Sequence, residues 1–374
     1  MCKGAMSCED KLGICRAPSS KPPFTLSEIR RAVPGHCFNR SLVKSGAYLA
    51  GDLLTISLLF YATRYFDHAG FFEWPLWMVY WVIQGCVATG VWVIAHECGH
   101  HAFSNYAWVD DLVGFVFHSL LLVPYFSWKF SHKRHHGNNG NIERDEVFVP
   151  KVKEDISWFT TLLQHPTGRI VQAVMMLLLG WPLYLTLNVS GRKYERFACH
   201  FDPNGPIFKN QERLQVLVSD LGLLGVCYCL WQLSCAYGYV WLFMVYGVPL
   251  LIVNAWLVLI TFLQHTHPSL PHYNDSQWEW LKGELVTIDR DYGILNHIFH
   301  HITDTHVAHH LFTTMPHYHA EEATKAIIPV LGKYYQYDKT PIHFALYREL
   351  KECVFVEPDS PDENGVLWFN SKFS

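Results

Sequence analysis

Long apolar runs alternate along this chain with polar stretches crowded with histidine. Residues 47–66 are apolar apart from Asp52, Thr55, Ser57, Thr63 and Arg64, and residues 75–95 carry no charged side chain. At ~1.5 Å per residue both are long enough to cross ~30 Å of hydrocarbon as helices. Two further runs, 221–236 and 240–263, are separated by three uncharged residues and predict a tight hairpin. Two others suit crossing less well. Residues 112–126 are short and hold His118 and Pro124; residues 170–189 are broken by Pro182 and flanked at both ends by basic residues. Such segments more often lie in the interface or dip in and return.

The remainder is polar. Residues 1–24 read as a mobile cytosolic tail ahead of a single domain, 25–374. Thr25 to Ala32 predicts a short amphipathic helix, with Thr25 and Glu28 in capping-box spacing. From His265 onward, polar and aromatic residues predict a cap of short helices. The expected fold is an all-α membrane protein: two transmembrane helical hairpins, interfacial helices, and a cytosolic helical cap. Arg30, Arg31, Arg40 and Lys44 precede the first run and bias the N-terminus to the cytosol. The first forty residues lack an apolar core segment, so no cleavable signal peptide is expected.

Composition agrees. Of 374 residues, 50% are hydrophobic and 17% charged, with 14 Trp and 19 Tyr, which suits a membrane protein with a sizeable polar part. The net charge of -4 gives no nucleic-acid footprint. The 11 cysteines include no Cys-x-x-Cys pair, which argues against a zinc ribbon or disulfide framework and for a reducing, cytosol-facing setting.

Chemistry enters with the histidines. His306-Val307-Ala308-His309-His310 and His132-Lys133-Arg134-His135-His136 share the pattern His-x-x-His-His, and His96-Glu97-Cys98-Gly99-His100-His101 closes the second apolar run. Residues three or four apart share a helix face, so each triplet aims imidazoles one way. Imidazole is the commonest transition-metal ligand, and eight or nine converging could hold two ions. The three clusters meet only if neither 112–126 nor 170–189 crosses the membrane. His96-Glu97-x-x-His100 alone matches a zinc peptidase, but one hydrolytic zinc needs about three protein ligands, not two further triplets. Haem electron carriers pair lone histidines across facing helices, which clustered triplets do not suit. A histidine-rich site favours iron, copper or zinc over magnesium or calcium. Of these, iron suits oxygen attack on an apolar substrate entering from the bilayer.

These motifs resemble the membrane fatty-acyl desaturases, most closely the plant microsomal oleate (Δ12) group, from about Pro22 to Phe373. The resemblance rests on His96 to Ser104, Val123-Pro124-Tyr125-Phe126-Ser127-Trp128, Asp289-Arg290-Asp291-Tyr292-Gly293 and Thr303 to Phe312. It implies a diiron enzyme of the endoplasmic reticulum membrane, active site to the cytosol. Such an enzyme uses O2 and electrons from cytochrome b5 and its reductase to insert a double bond at Δ12 of phospholipid-bound oleoyl chains. The family's boxes map onto His96 and His100, with His101 an open alternative, onto His132, His135 and His136, and onto His306, His309 and His310. An Asn-x-x-x-His element matches Asn296 and His300, implying His300 as a ninth ligand and Asn296 acting through water. Asp304 and Asp145 are candidates to orient ligand imidazoles. His297 and His301 read as polar-surface or supporting residues, and His265 and His267 as interfacial residues rather than ligands. Ala95, Ala308 and Met315 look desaturase-like. Gly137, Asn139, Asn141, Val286 and Thr313 depart from the common desaturase, which keeps hydroxylase, epoxygenase, acetylenase and conjugase relatives as alternatives.

Overall fold

The computed structural model describes residues 15–68, 70–360 and 365–372. The first 14 residues of the expected tail lie outside them. From Ala17 onward the chain is tied down: Ala17 N donates to Ser269 O at 2.9 Å, and Ser20 Oγ lies 3.0 Å from the Tyr334 hydroxyl.

Helix dominates. The N-terminal part contains α1 (Leu26–Ala32), α2 (Leu42–Ala62), α3 (Glu73–Gly99), α4 (Ala107–Leu120) and α5 (Tyr125–Asn138). Then come α6 (Trp158–Leu163), α7 (Pro166–Leu187), α8 (Arg213–Tyr237), α9 (Tyr239–Leu242), a π-helical turn over Phe243–Gly247, and α10 (Val248–His265). A cap of short elements follows: α11 (Trp280–Glu284), α12 (Ile294–Ile298), α13 (His306–Leu311), α14 (His317–Leu331) and α15 (Ile342–Glu352). Small strands stitch the cap. β1 (His272–Tyr273), β5 (Val366–Asn370) and β4 (Phe355–Glu357) form an antiparallel sheet, and β2 (Asp289–Arg290) pairs in parallel with β3 (Tyr337–Asp338).

Among the described residues, five helical segments are long and apolar enough to cross a membrane: Leu42–Phe66, Gly70–Gly99, Pro166–Leu187, Arg213–Tyr237 and Tyr239–His265. They are unequal. The span window of α3 is 72% buried, whereas those around α2 and α7 are 11% buried, so α3 is central and the other two present apolar faces outward. The α3–α10 pair is the axis of the bundle. A Cβ on Gly85 would lie 2.5 Å from Ile252 Cγ2, so only glycine lets the two helices approach this closely. Around them Trp92, Val93, Leu257 and Leu263 build the main apolar core, with Trp181 and Leu185 of α7.

The remaining segments are placed by specific contacts. α4 and α5 turn on each other by 109° at Leu121–Pro124. The start of α8 is held beside α5, where the Phe126 N–H donates to Ser219 Oγ at 2.8 Å and Arg134 pairs with Glu212. α7 is one unbroken helix despite Pro182. Near its first turn Arg169 reaches the Tyr347 hydroxyl of α15 at 3.2 Å, and near its last turn Leu185 O accepts from His200 N at 2.8 Å. The expected capping box on α1 is present, with Glu28 Oε2 accepting from Thr25 N at 2.7 Å.

Arg290 locks the cap to the end of α10. It is 2% exposed, donates through Nε to Leu263 O at 2.7 Å and through Nη2 to Glu349 at 2.6 Å, and pairs with Asp338. Its neighbour Asp289 accepts from the Val307 N–H at 2.8 Å and from the Tyr335 hydroxyl at 2.8 Å. That fixes the first turn of α13, the helix carrying the third histidine cluster.

Candidate metal centre

His96 and His265 stand near the C-terminal ends of α3 and α10, where His132 of α5 packs on His96 at 4.8 Å and His306 of α13 packs on His265 at 5.2 Å. Five imidazoles converge there in one group: His96, His100, His132, His136 and His309, with one ligand atom each within 4.8 Å of all the others. A second group comprises His135, His265 and His310. His306 joins it, its Nε2 lying 3.2 Å from His265 Nε2. The groups abut where the His136 and His310 rings stack at 4.2 Å.

The site fits transition-metal ions by its own chemistry. His96 and His132 face each other through Nε2 at 2.9 Å, and His132 and His136 at 3.1 Å. The buried Nε2 atoms of His100, His135, His309 and His310 have no hydrogen-bond partner. Lone pairs crowded together and cut off from water are costly unless a cation accepts them. Burial holds His100, His132, His136, His306 and His310 well below the usual histidine range, with further lowering from neighbouring imidazoles, and pushes His309 down to about 3. They are therefore neutral, the form that binds metal.

A ring of carboxylates sets the tautomers. His135 Nδ1 lies 2.7 Å from Asp145 Oδ1, and His310 Nδ1 lies 3.0 Å from Glu284 Oε2. Each carboxylate accepts the Nδ1 proton and leaves Nε2 free for a metal. Asp145 thus has the orienting position expected of it, and Glu284 is a second such residue. Trp128 stacks on His132 at 4.5 Å. Glu97 is committed elsewhere: it accepts from the His317 N–H at 2.7 Å and faces His317 Nδ1 at 2.7 Å. A peptidase base would need that carboxylate free.

Several sequence expectations are corrected. His300 lies outside both groups; its Nε2 sits 2.7 Å from Asp52 Oδ2, and its ring packs against His317 and Tyr48. Asn296 does not point at the histidines: it donates to Asp291 Oδ1 at 2.7 Å and accepts from Tyr292 N at 2.9 Å and Thr303 Oγ1 at 2.8 Å. Asp304 partners His301, 3.1 Å away, rather than His306. His101 turns away at φ 57° toward Lys129, which leaves His100 as the inward residue. The residue missed was His265. The available signal was its place: it ends the last span just as His96 lies near the end of the second.

A cavity of about 370 Å³ opens beside the two groups. His96, His132, His265 and His306 form part of its wall, and Trp92, Met176, Trp181, Leu257 and Val258 carry it between α3, α7 and α10. It is an apolar slot ending on imidazoles from both groups.

Comparison with known proteins gives a consistent result. The fatty acid desaturase family matches residues 74–341. A Δ(12)-acyl-lipid-desaturase of Punica granatum is 62% identical over 95% of this chain and 92% of its own length. A Δ(12)-fatty-acid desaturase of Arabidopsis thaliana is 60% identical over 96% of this chain and 94% of its own. An oleoyl-12-hydroxylase of Ricinus communis is 58% identical, covering 96% of this chain and 93% of its own. This chain belongs to the fatty acid desaturase family.

Proposed function

We propose that this chain is an O2-dependent Δ12 acyl-lipid desaturase that converts phospholipid-bound oleoyl chains to linoleoyl chains. The observation that carries this reading is the apolar cavity whose wall includes His96, His132, His265 and His306, members of both histidine groups. A hydrocarbon chain in that slot lies against the metal-binding nitrogens and away from water. His96, His100, His132, His136 and His309 would hold one iron, and His135, His265, His306 and His310 would hold the other. Iron bound by this set supplies the oxygen activation that removal of hydrogen from an unactivated C–H bond requires. Asp145 and Glu284 keep His135 and His310 in the ligating tautomer. Walls from α3, α7 and α10 place one stretch of the acyl chain at the centre, and this placement sets which carbons react.

The membrane arrangement follows from parity. His96 and His265 meet at one level, so α2–α3 and α8–α10 act as two hairpins with that level on the cytosolic side. α7 then does not cross; its first turn is tied to Tyr347 of α15 and its last turn to His200. The bent α4–α5 pair likewise dips and returns. Cytochrome b5 and its reductase deliver electrons at the cytosolic face, in the endoplasmic reticulum membrane.

The positions where the sequence departs from the common desaturase, Gly137, Asn139, Asn141, Val286 and Thr313, lie off the cavity wall. Asn139 instead donates to Gly283 O at 2.9 Å, and Asn141 Oδ1 accepts from Glu143 N at 2.8 Å. Expression in yeast, which makes oleate, tests the proposal: linoleate is the expected product. A 12-hydroxy product alone would move the chain to the hydroxylase reading. Products modified at C12 only from fed linoleate would move it to the acetylenase or conjugase reading.

A further inference from the structure

On the far side of α14 from the histidine centre, a different set of donors comes together. The short helical turn Gly35–Phe38 brings His36 and Cys37 against His319 and Glu322 of α14. One ligand atom from each of the four lies within 4.8 Å of the other three. His36 Nε2 is 2.8 Å from Glu322 Oε2, and Cys37 Sγ is 3.8 Å from His36 Nε2. The His36 and His319 rings meet edge to face at 5.3 Å.

We propose that His36, Cys37, His319 and Glu322 form a binding site for a single zinc-class divalent cation, separate from the iron centre, which staples the N-terminal segment to α14.

The donor chemistry selects the ion. One thiolate, two imidazoles and one carboxylate make a four-coordinate set of the kind zinc takes. Magnesium and calcium prefer oxygen donors and would not choose it. Zinc bonds of about 2.0–2.3 Å put tetrahedral donors roughly 3.3–3.8 Å apart, so this set must close by about an ångström. The groups that must move are free to do so: the His36 and Glu322 side chains are 54% and 50% exposed, which also gives the ion a way in. Cys37 supplies the fixed point. It is fully buried within an apolar cluster that includes Ile29, Val33 and Ala323. Burial and the nearby Glu322 push its thiol up to about 11, so the sulfur is a neutral thiol until a cation arrives. On binding, the thiol proton leaves to solvent and the His36–Glu322 hydrogen bond gives way to two metal bonds. Simple packing accounts for Cys37 alone; it does not account for two imidazoles and a carboxylate gathered around the sulfur. The same apolar cluster contains Val307, Ala308 and Leu311 of α13, so the staple sits behind the helix that presents the third histidine cluster.

The experiment uses the full chain in lipid nanodiscs, saturated with iron, then exposed to Zn2+ alone or Co2+ alone and desalted. The expected result is one zinc retained per chain with iron undiminished, and with Co2+ a thiolate-to-cobalt charge-transfer band in the near ultraviolet. Cys37→Ser removes the band. His319→Asn and Glu322→Gln, both on accessible positions of α14, weaken zinc retention roughly tenfold or more while iron content holds. These two variants keep the test decisive should Cys37→Ser fold poorly. Zinc that displaces iron one for one, zinc retained equally by Glu322→Gln, or a cobalt complex without a thiolate band would each overturn the proposal. Loss of the iron centre in an unsubstituted chain would count against the desaturase reading and leave this site standing.

Discussion

At the scale of single residues, the metal centre depends on which imidazoles face inward. His265 ends α10 with its Nε2 3.2 Å from that of His306, whereas His300 is paired with Asp52 at 2.7 Å. His265→Ala should therefore reduce bound iron and abolish turnover, while His300→Gln should keep its iron; metal analysis of the two purified variants checks both. Outer carboxylates make a graded case. Glu284→Gln keeps a hydrogen-bond partner for His310 but loses the charge, and should weaken metal retention about 10–100-fold, read by competition with a chelator. The sequence made eight of the nine converging imidazoles visible, because tandem triplets stand out from chance. It hid the ninth, since α10 is apolar around its circumference and a lone histidine at its end carries no facing signal. Asn296 and His300 match the family's Asn-x-x-x-His pattern in the letters alone: α12 stops at Ile298, and His300, at φ 50°, pairs with Asp52 instead.

At the scale of elements, packing between helices decides how the ligands are held. Gly85→Leu would drive a side chain into Ile252 on α10, where even a Cβ comes within 2.5 Å. Overpacking of this kind should cost about 1–3 kcal/mol, and Ile252→Ala should recover part of it; thermal unfolding in detergent reads both. Gly90 serves α12 similarly, since a Cβ there would lie 2.5 Å from Ile298 O. Arg290 is the joint between span and cap. Arg290→Leu would leave the fully buried Glu349, and Asp338 beside it, with Arg348 as their shared cation and should cost about 1–3 kcal/mol. The acid response has a definite sign. Burial works against ionisation of Asp338, but Arg290 and Arg348 hold its carboxyl well below the usual carboxylate range. A carboxyl whose folded pKa is depressed stabilises above its unfolded pKa, near ~4, and loses that contribution as pH falls through the folded value. The contribution of Asp338 to cap stability should thus stay flat through neutrality and fall only in strong acid, with Arg290→Leu shifting its loss to higher pH. Of these elements, the α1 capping box and the four strongest apolar runs were legible from pattern alone. The length of α7 and the 109° turn between α4 and α5 were not, because Pro182 and Pro124 read identically as breaks. Pro182 is accommodated within α7, whereas α5 starts directly after Pro124.

For the whole molecule, the cavity runs between α3, α7 and α10 to imidazoles of both histidine groups, and its shape rather than the histidines should govern which carbons react. Val258 lies on the cavity wall along α10. Val258→Phe should narrow the slot, lower oleate conversion severalfold and leave bound iron unchanged, as fatty-acid profiling beside metal analysis would read. Imidazoles from α3, α5, α10 and α13, together with His100 just past the end of α3, are proposed to enclose a pair of irons. Iron counting by mass spectrometry on purified full-length protein, with and without His265→Ala, tests this most directly. Two irons per chain are expected, falling toward one in the variant. A single zinc without iron, or a His265→Ala protein that keeps both irons while His300→Gln loses one, would contradict this arrangement.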